Sequence, residues 1–236
     1  MEIINQILGW TIILGTFITY GFQYKKLYDI KNIEGINDNM LILGCTSSVF
    51  NLMGIIISNL SPNKENLNKS LYFKLLPIIQ IFSPWFCLQI NYLIYYIYEN
   101  RNYYRKKFIF FNIAIFLLLI IIFPLITVEL YNNYGILSDT LNILSAILSI
   151  MMWIPQIITT FNKKTEGSLS LISLACHACG CLLVIIFQLS EKQLFSTILP
   201  YIVALFCESW LVIYCLYQNY KIKKGPILLE DNLYNN

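Results

Sequence analysis

The chain has 236 residues, of which 57% are hydrophobic and only 12% are charged. Soluble domains carry about a quarter charged residues, so this composition excludes an ordinary soluble domain and indicates a polytopic protein embedded in the lipid bilayer. The net charge of +3 is too small for the strongly basic surface that nucleic-acid binding requires.

Seven apolar segments are long enough to cross a bilayer, which takes about 20 residues of helix. The first lacks a basic leader and a cleavage site, so we expect a retained helix rather than a signal peptide. The third contains Pro77 and Pro84, which predicts a kinked helix that faces other helices. In chain order the segments are Ile3–Gln23, Met40–Ile57, Phe73–Tyr95, Phe108–Leu130, Leu141–Phe161, Leu169–Leu189 and Thr197–Tyr217.

The distribution of basic residues predicts the orientation in the membrane. Twelve of the 16 Lys and Arg residues lie on the side of the odd-numbered loops and the C-terminus, and four lie on the other side. Positive residues concentrate in cytosolic loops, so we expect a lumenal N-terminus and a cytosolic C-terminus. Asn68 stands in a glycosylation sequon of the second loop, on the predicted lumenal side, and Asn59 begins another sequon very near the membrane.

Two stretches of the chain repeat one another. Gln23 and Gln156 each leave an apolar run and precede a basic loop that contains a Glu-Gly pair. The offset of 133 residues between the two glutamines also takes Asn37 onto Ser170, whereas the Glu-Gly pairs align only after a one-residue gap. The alternative interpretation is chance similarity between two amphiphilic hairpins. A duplication would make helices one to three and five to seven two parallel repeats.

The predicted fold is therefore an all-α integral membrane protein in a 3+1+3 arrangement, with two three-helix repeats joined by a linker helix. The first repeat occupies residues 1–98 and the linker helix with its flanking loops occupies 99–138. The second repeat occupies 139–220, and a cytosolic tail occupies 221–236. Solute sites in proteins built in this way lie near the membrane midplane between the repeats.

At Trp153-Ile154-Pro155-Gln156 and Lys164-Thr165-Glu166-Gly167-Ser168-Leu169-Ser170 the chain resembles the PQ-loop repeat family. That family includes cystinosin, lysosomal cationic amino-acid exporters and, more distantly, the SWEET sugar transporters. The segment Ser83-Pro84-Trp85-Phe86-Cys87 is similar to a poorly characterised eukaryotic subgroup. The resemblance implies alternating-access transport of a small polar solute, an amino acid or derivative, across a lysosomal or vacuolar membrane.

The first repeat departs from the family at one position. Phe22-Gln23 stands where the family has Pro-Gln, and the family's prolines are taken as hinges because proline deletes a helix hydrogen bond. Gln23, Pro155 and Gln156 are the predicted hinge motif. The departure implies a motion centred on Pro155 or shifted to Pro84, or a loss of transport.

Two ionisable residues lie within the predicted spans. His177 falls near the place where cystinosin-like members carry a proton-coupling aspartate, and an imidazole titrates near neutral pH. Glu208 lies midway along helix seven, where a carboxylate is costly unless it is functional or paired. We predict proton coupling at both. The structural alternatives are a neutral histidine bonded to a neighbouring helix, and a Glu208 side chain bonded to Ser or Tyr.

The uncharged polar residues Asn51 and Asn142 are predicted to bind solute or to join helices. Cys176 and Cys179 share one face of helix six, and a closed tetrahedral metal site would need ligands from other helices. We therefore expect no metal and no cofactor. The sequence contains no nucleophile–base pair or phosphate loop, so an enzyme is not expected. The competing functions are a non-transporting receptor or scaffold and, third, a sugar carrier.

Overall fold

The computed structural model is all-helical over the residues that it describes, which confirms the predicted fold class. The described residues are 2–31, 33, 36–60, 71–99, 106–107, 109–115, 117, 120–121, 124, 136–164 and 167–234.

The first repeat contains α1 (Glu2–Ile30), α2 (Asp38–Leu60) and α3 (Leu71–Tyr98). A linker helix, α4, is helical at residues 109–115. The second repeat contains α5 (Ile136–Lys163), α6 (Leu171–Ser190) and α7 (Phe195–Tyr234). α1, α5 and α7 extend beyond the apolar runs through stretches that contain lysines, since a helix can continue once it has left the hydrocarbon.

Five of the described helices are long and apolar enough to cross a membrane, namely α2, α3, α5, α6 and the part of α7 that ends at Lys221. Large hydrophobic side chains are exposed along the outer faces of the helices, as with Phe110 at 74% and Phe206 at 71%. Lipid covers such faces at no cost, so the chain is a multi-pass membrane protein.

The two repeats match in detail. Lys31 directly follows the end of α1 and Lys164 directly follows the end of α5, and both lysines have a positive φ, of 50° and 53°. Each amide closes the last helical turn on a carbonyl four residues earlier, at Leu27 and at Thr160. Lys31 and Lys164 are 133 residues apart, and so are Asn37 and Ser170, the residues that precede α2 and α6. The loops are therefore equal in length, and the one-residue gap in the sequence alignment is only a local shift of the Glu-Gly pair.

The helices of one repeat pack against helices of the other. α1 packs on α6 and α2 packs on α5, while the third helix of each repeat covers the other two helices of that repeat. Apolar clusters fill these junctions. One joins Ile12 and Ile13 of α1 to Leu76 of α3 and Phe187 of α6.

Small and polar residues allow α2 and α5 to approach closely. The Ser47 hydroxyl donates to the carbonyl of Ser145 at 2.9 Å, and the Ser145 hydroxyl donates to the carbonyl of Ser47 at 2.8 Å. Ser138 donates to the carbonyl of Gly54 at 2.8 Å. A Cβ atom at Gly54 would overlap the amide group of Asn142 on α5. Small side chains at such contacts are the main means by which helices associate in lipid.

The linker helix packs against the first repeat. The Phe111 ring lies edge-on to the Tyr92 ring of α3, with centroids 5.5 Å apart. Lys107 forms an ion pair of 2.5 Å with Asp38 at the start of α2, where a negative charge also favours the helix dipole. The linker is thus fixed to the basic end of the bundle, defined here as the end that carries Lys31 and Lys164.

Candidate functional site

A cavity of about 150 Å³ lies between the two repeats. All six helices of the repeats contribute to its wall, and residues from both basic-end loops, such as Ile36 and Leu169, also line it. Much of the wall is apolar. Its polar groups are mostly hydroxyls and amides, including Thr19, Ser47, Asn51, Asn91, Ser149 and Ser173.

His177 and Glu208 face one another on the cavity wall. The His177 Nδ1 atom lies 2.5 Å from a carboxylate oxygen of Glu208, so the two groups form one hydrogen-bonded acid–base pair. The Glu208 side chain is only 2% exposed, whereas the imidazole is 31% exposed, and both residues line the cavity. The pair joins the middle of α6 to the middle of α7, and it unites two residues that the sequence nominated separately.

Tyr20 of α1 completes the surroundings of the imidazole. Its ring meets the His177 ring edge-on, with centroids 5.8 Å apart and planes at 81°. Tyr20 lines the cavity although its side chain is largely buried. The sequence analysis did not identify this residue. Its spacing of three residues from Gln23 puts both on one helical face, and that was the available signal.

The cysteine that lies beside the acid–base pair is Cys181, and not Cys176 or Cys179, which the sequence had suggested as metal ligands. The Cys181 sulfur lies 4.0 Å from His177 Nδ1 and 4.0 Å from the second oxygen of Glu208. Their three potential ligand atoms lie within 4.8 Å of one another. Imidazole, thiolate and carboxylate are all zinc ligands, so among the described residues this group is the one that could hold a metal ion. Cys179, by contrast, is exposed.

The two asparagines predicted to bind solute occupy different environments. Asn51 lines the cavity and donates a hydrogen bond of 3.1 Å to the hydroxyl of Tyr201 on α7. Its side-chain oxygen has no hydrogen-bond partner among the described residues. Asn142 is fully buried at the α2–α5 contact, and it is not among the residues that line the cavity. The side-chain nitrogen and oxygen of Asn142 have no hydrogen-bond partner among the described residues, so its solute-binding role and the helix-joining alternative both stay predictions.

The glutamine of the first repeat binds the loop of the second. The Gln23 side-chain oxygen accepts a hydrogen bond of 2.8 Å from the amide of Ser170, and its nitrogen donates one of 3.0 Å to the carbonyl of Ser168. Ser170 is the N-cap residue of α6, with its own hydroxyl accepting from the amide of Ser173. Lys26 donates to the carbonyl of Leu169 in the same loop. The bonds of Gln23 and Lys26 cross between the repeats, whereas the bond of Ser173 to Ser170 lies within the second repeat.

The glutamine of the second repeat makes the corresponding contact with the first. The Gln156 side-chain oxygen accepts a hydrogen bond of 3.1 Å from the amide of Asn37, the residue before α2. Its nitrogen donates to Thr160 at 3.2 Å. The Asn37 side chain donates to Thr159 at 3.2 Å and accepts from the amide of Asn39. Gln23 and Gln156 are both buried, so neither bond competes with bulk water.

Comparison with known proteins accounts for this duplication. The family model of the PQ loop repeat matches residues 4–64 and again residues 137–197, which together exceed half of the chain. The chain belongs to the PQ-loop repeat family. The family predicted from the sequence is thus confirmed, and the two matches cover the first two helices of each repeat. A search of curated proteins finds no sequence match.

A solved structure supports the same fold for this PQ-loop protein. "The 3.7 A resolution structure of a eukaryotic SWEET transporter" aligns with 92% of this chain and 99% of its own, with a TM-score of 0.54. The sequence identity is 10%, so the likeness concerns the fold alone.

The PQ-loop motif itself is asymmetric in this chain. Pro155 interrupts α5 next to Gln156, and its carbonyl accepts a hydrogen bond of 2.8 Å from the Thr159 hydroxyl. At the equivalent position of α1 the Phe22 side chain is 40% exposed on the outer face of the bundle. The proline-dependent break in helix hydrogen bonding is therefore present in the second repeat and replaced by an ordinary residue in the first.

The two glycosylation sequons differ in their surroundings. Asn59 is 3% exposed, donates to the carbonyl of Ile55 at 3.0 Å and accepts from Gln193 at 3.1 Å, so its amide is fully engaged. A glycosylating enzyme cannot reach such a side chain in the folded protein. Asn68, the predicted glycosylation site, lies outside the described residues.

Proposed function

We propose that this PQ-loop protein transports a small polar solute, an amino acid or derivative, by alternating access around the central cavity, coupled to protons at His177 and Glu208. The observation that carries the proposal is the acid–base pair in the wall of a cavity between two repeats. Among the described lining residues, these are the only ones of charged or imidazole type. The proposed function involves no chemistry on the solute.

The geometry favours a solute that carries a carboxylate. The imidazole is the more exposed group of the pair, and in its protonated form it attracts a carboxylate. The Asn51 oxygen has no partner among the described residues and accepts from an ammonium group. A solute that carries a carboxylate therefore suits the protonated imidazole better than an uncharged solute does.

The position of the pair supports the proposed proton coupling. Its two groups are 2.5 Å apart, so the proton that they share moves between nitrogen and oxygen without leaving the hydrogen bond. When the cavity opens to the more acidic compartment the pair gains a proton, and when it opens to the other side it loses one. Solute binding beside the imidazole then depends on which side the cavity faces.

A transport screen tests the proposal directly. Purified protein in liposomes is offered labelled basic, neutral and acidic amino acids, with glucose and sucrose, at two lumenal pH values. We expect flux of an amino acid that increases when the lumen is acidic, whereas flux of sugars alone would identify a sugar carrier. Empty liposomes and the double variant H177Q/E208Q are the controls.

A non-transporting receptor is the second candidate, favoured by the loss of the first PQ-loop proline at Phe22. A receptor would bind a ligand in the screen and move none of the solutes. A monodisperse gel-filtration peak would show that the protein is folded. If such protein supports no flux at either pH, the transport proposal is contradicted.

The proline of the second repeat is expected to set the speed of transport. Pro155→Ala restores a helix hydrogen bond whose absence permits bending, and it should reduce the uptake rate by about tenfold with little effect on folding. Phe22→Pro should preserve uptake. Pro77→Ala in α3, away from the PQ-loop motif, is the matched control. Initial uptake rates at equal protein content give the comparison, and a wild-type rate in Pro155→Ala excludes this residue as the hinge.

The proposed orientation places the basic end of the bundle in the cytosol, in an endomembrane of lysosomal or vacuolar type. The excess of Lys and Arg at that end supports this, because positive loops stay on the cytosolic side. In sealed vesicles with the cytosolic face outward, protease should remove a tag from the C-terminus. A protected tag would reverse the orientation.

The predicted glycosylation of Asn68 has its own test. If a glycosidase lowers the apparent mass of the wild-type protein but not that of Asn68→Gln, then Asn68 carries the glycan.

A further inference from the structure

We propose that Gln23 and Gln156 are gate residues, which form one reciprocal latch that holds the basic end of the cavity closed. This inference rests on the proposed alternating access, since a gate has meaning only in a protein that opens to two sides. It assigns the glutamines of the PQ-loop motif a role separate from that of the proline hinge.

The latch consists of two equivalent bonds related by the internal duplication. Each glutamine lies on the first helix of its own repeat. Each accepts from the backbone amide of the residue just before the second helix of the other repeat, at 2.8 Å from Ser170 and at 3.1 Å from Asn37. These amides belong to helix N-termini, where backbone N–H groups have no partner inside the helix. The glutamine oxygens therefore satisfy donors that would otherwise be left without a bond.

The loops held in this way form the end of the cavity. Ile36 lies just before α2 and Leu169 lies just before the start of α6, and both line the cavity. Gln23 and Met40 line it at the same end. Movement of one loop away from the other repeat would therefore open this end of the cavity. The bond from Lys26 to Leu169 joins the same two parts.

Both bonds must break in the same motion. Each bond joins one repeat to the other, so a rotation that separates the repeats at the basic end stretches the two together. Bending of α5 at Pro155 would withdraw Gln156, the next residue, from Asn37. Because both bonds tie the same two repeats together at the same end, a rigid-body opening at that end cannot be completed while either bond remains. The two glutamines therefore act as one cooperative latch rather than as two local contacts.

Amide hydrogen exchange tests this cooperativity without a transport assay. Exchange at the amides of Asn37 and Ser170 is measured by mass spectrometry with residue-level fragmentation, in nanodiscs, for Gln23→Leu and Gln156→Leu. A hydrogen bond contributes about 1 kcal/mol, so each variant should open the gate about fivefold more often. We expect faster exchange at both amides in each variant, including the amide whose own glutamine is intact.

The matched control is Gln188→Leu. Gln188 is also a fully buried glutamine, and its side-chain atoms have no hydrogen-bond partner among the described residues. It lies near the opposite end of α6 from Ser170. This variant should leave exchange at Asn37 and Ser170 unchanged. An equal increase in the control would show that any buried Gln→Leu change loosens the bundle, and it would overturn the latch.

The result that overturns the proposal is a purely local effect. If Gln23→Leu accelerates exchange only at Ser170, and Gln156→Leu only at Asn37, the bonds are independent caps and form no latch. Where a leucine variant does not fold, Gln23→Asn and Gln156→Asn keep the amide but shorten its reach by one methylene. A protein that shows cooperative exchange and moves no solute would preserve the latch and refute the transport proposal.

Discussion

Replacing His177 with glutamine should abolish the effect of lumenal acidity on uptake while solute exchange continues. Glutamine keeps a hydrogen bond to Glu208 but carries no proton charge between pH 5 and 8. Each pH unit corresponds to about a tenfold factor, so a gradient of two units lets wild type accumulate solute up to about 100-fold for one proton per solute. The variant should only equilibrate it. Initial uptake and final accumulation, measured against lumenal pH, give the comparison.

Glu208→Gln should produce the same loss, because the structure makes the two residues one pair. The matched control is Glu191→Gln. The Glu191 carboxylate accepts a hydrogen bond from Asn5 at the end of the bundle opposite to the basic end, and Glu191 does not line the cavity. Its pH profile should match wild type. An unchanged pH profile in both His177→Gln and Glu208→Gln would assign the pair a structural role, and the proton-coupling proposal would fail.

The second large effect is on stability, at the contact between α2 and α5. Gly54→Ala should lower the free energy of unfolding by about 2 kcal/mol, because the added methyl group overlaps Asn142 and forces the helices apart. Asn142 is fully buried, so its amide cannot turn out to solvent without moving the surrounding side chains. The measurement is the thermal midpoint of purified protein in detergent.

A compensating change distinguishes this steric effect from a general loss of stability. Asn142→Ala in the Gly54→Ala background removes the overlapping amide and should restore much of the lost stability. Gly15→Ala is the control, since a Cβ atom at Gly15 meets nothing within 4 Å. A double variant no more stable than Gly54→Ala would contradict the proposed contact.

Much of the fold could be predicted from the sequence because lipid constrains it so strongly. Spanning segments must be long and apolar, and the repeated glutamine and basic loop give the register of the duplication. The ends of the helices were less accurate. The apolar run of the first segment stops at Gln23, whereas α1 continues to Ile30 and is followed by Lys31 with a positive φ.

The candidate site was predicted only as separate parts. His177 and Glu208 were nominated for burial in the membrane, but their pairing depends on how α6 and α7 meet, which hydropathy does not specify. One signal was available. His177 lies 13 residues before the end of α6 and Glu208 lies 13 residues after the start of α7, so both lie at a depth of about 20 Å. Two ionisable groups at one depth in a hairpin are natural partners.

The cross-repeat bonds were beyond the sequence for a different reason. Alignment at an offset of 133 residues reveals that Gln23 and Gln156 are equivalent, but it does not reveal that each binds the other repeat. That depends on an exchange of neighbours, by which we mean that the first two helices of one repeat pack on helices of the other repeat, α1 on α6 and α2 on α5. A duplicated motif is consistent equally with bonds inside each repeat and with bonds between repeats.

This exchange of neighbours also affects how the protein is made. Gln23 bonds a residue that is synthesised 145 residues later in the chain, and Asn51 bonds one that is synthesised 150 residues later. At a synthesis rate of about 5–20 residues per second, that interval lasts about seven to thirty seconds. For that time the first three helices hold polar side chains in the membrane without their final partners, where lipid offers no hydrogen bonds. The newly inserted half of the protein is therefore a substrate for the machinery that retains unassembled helices until the second half arrives.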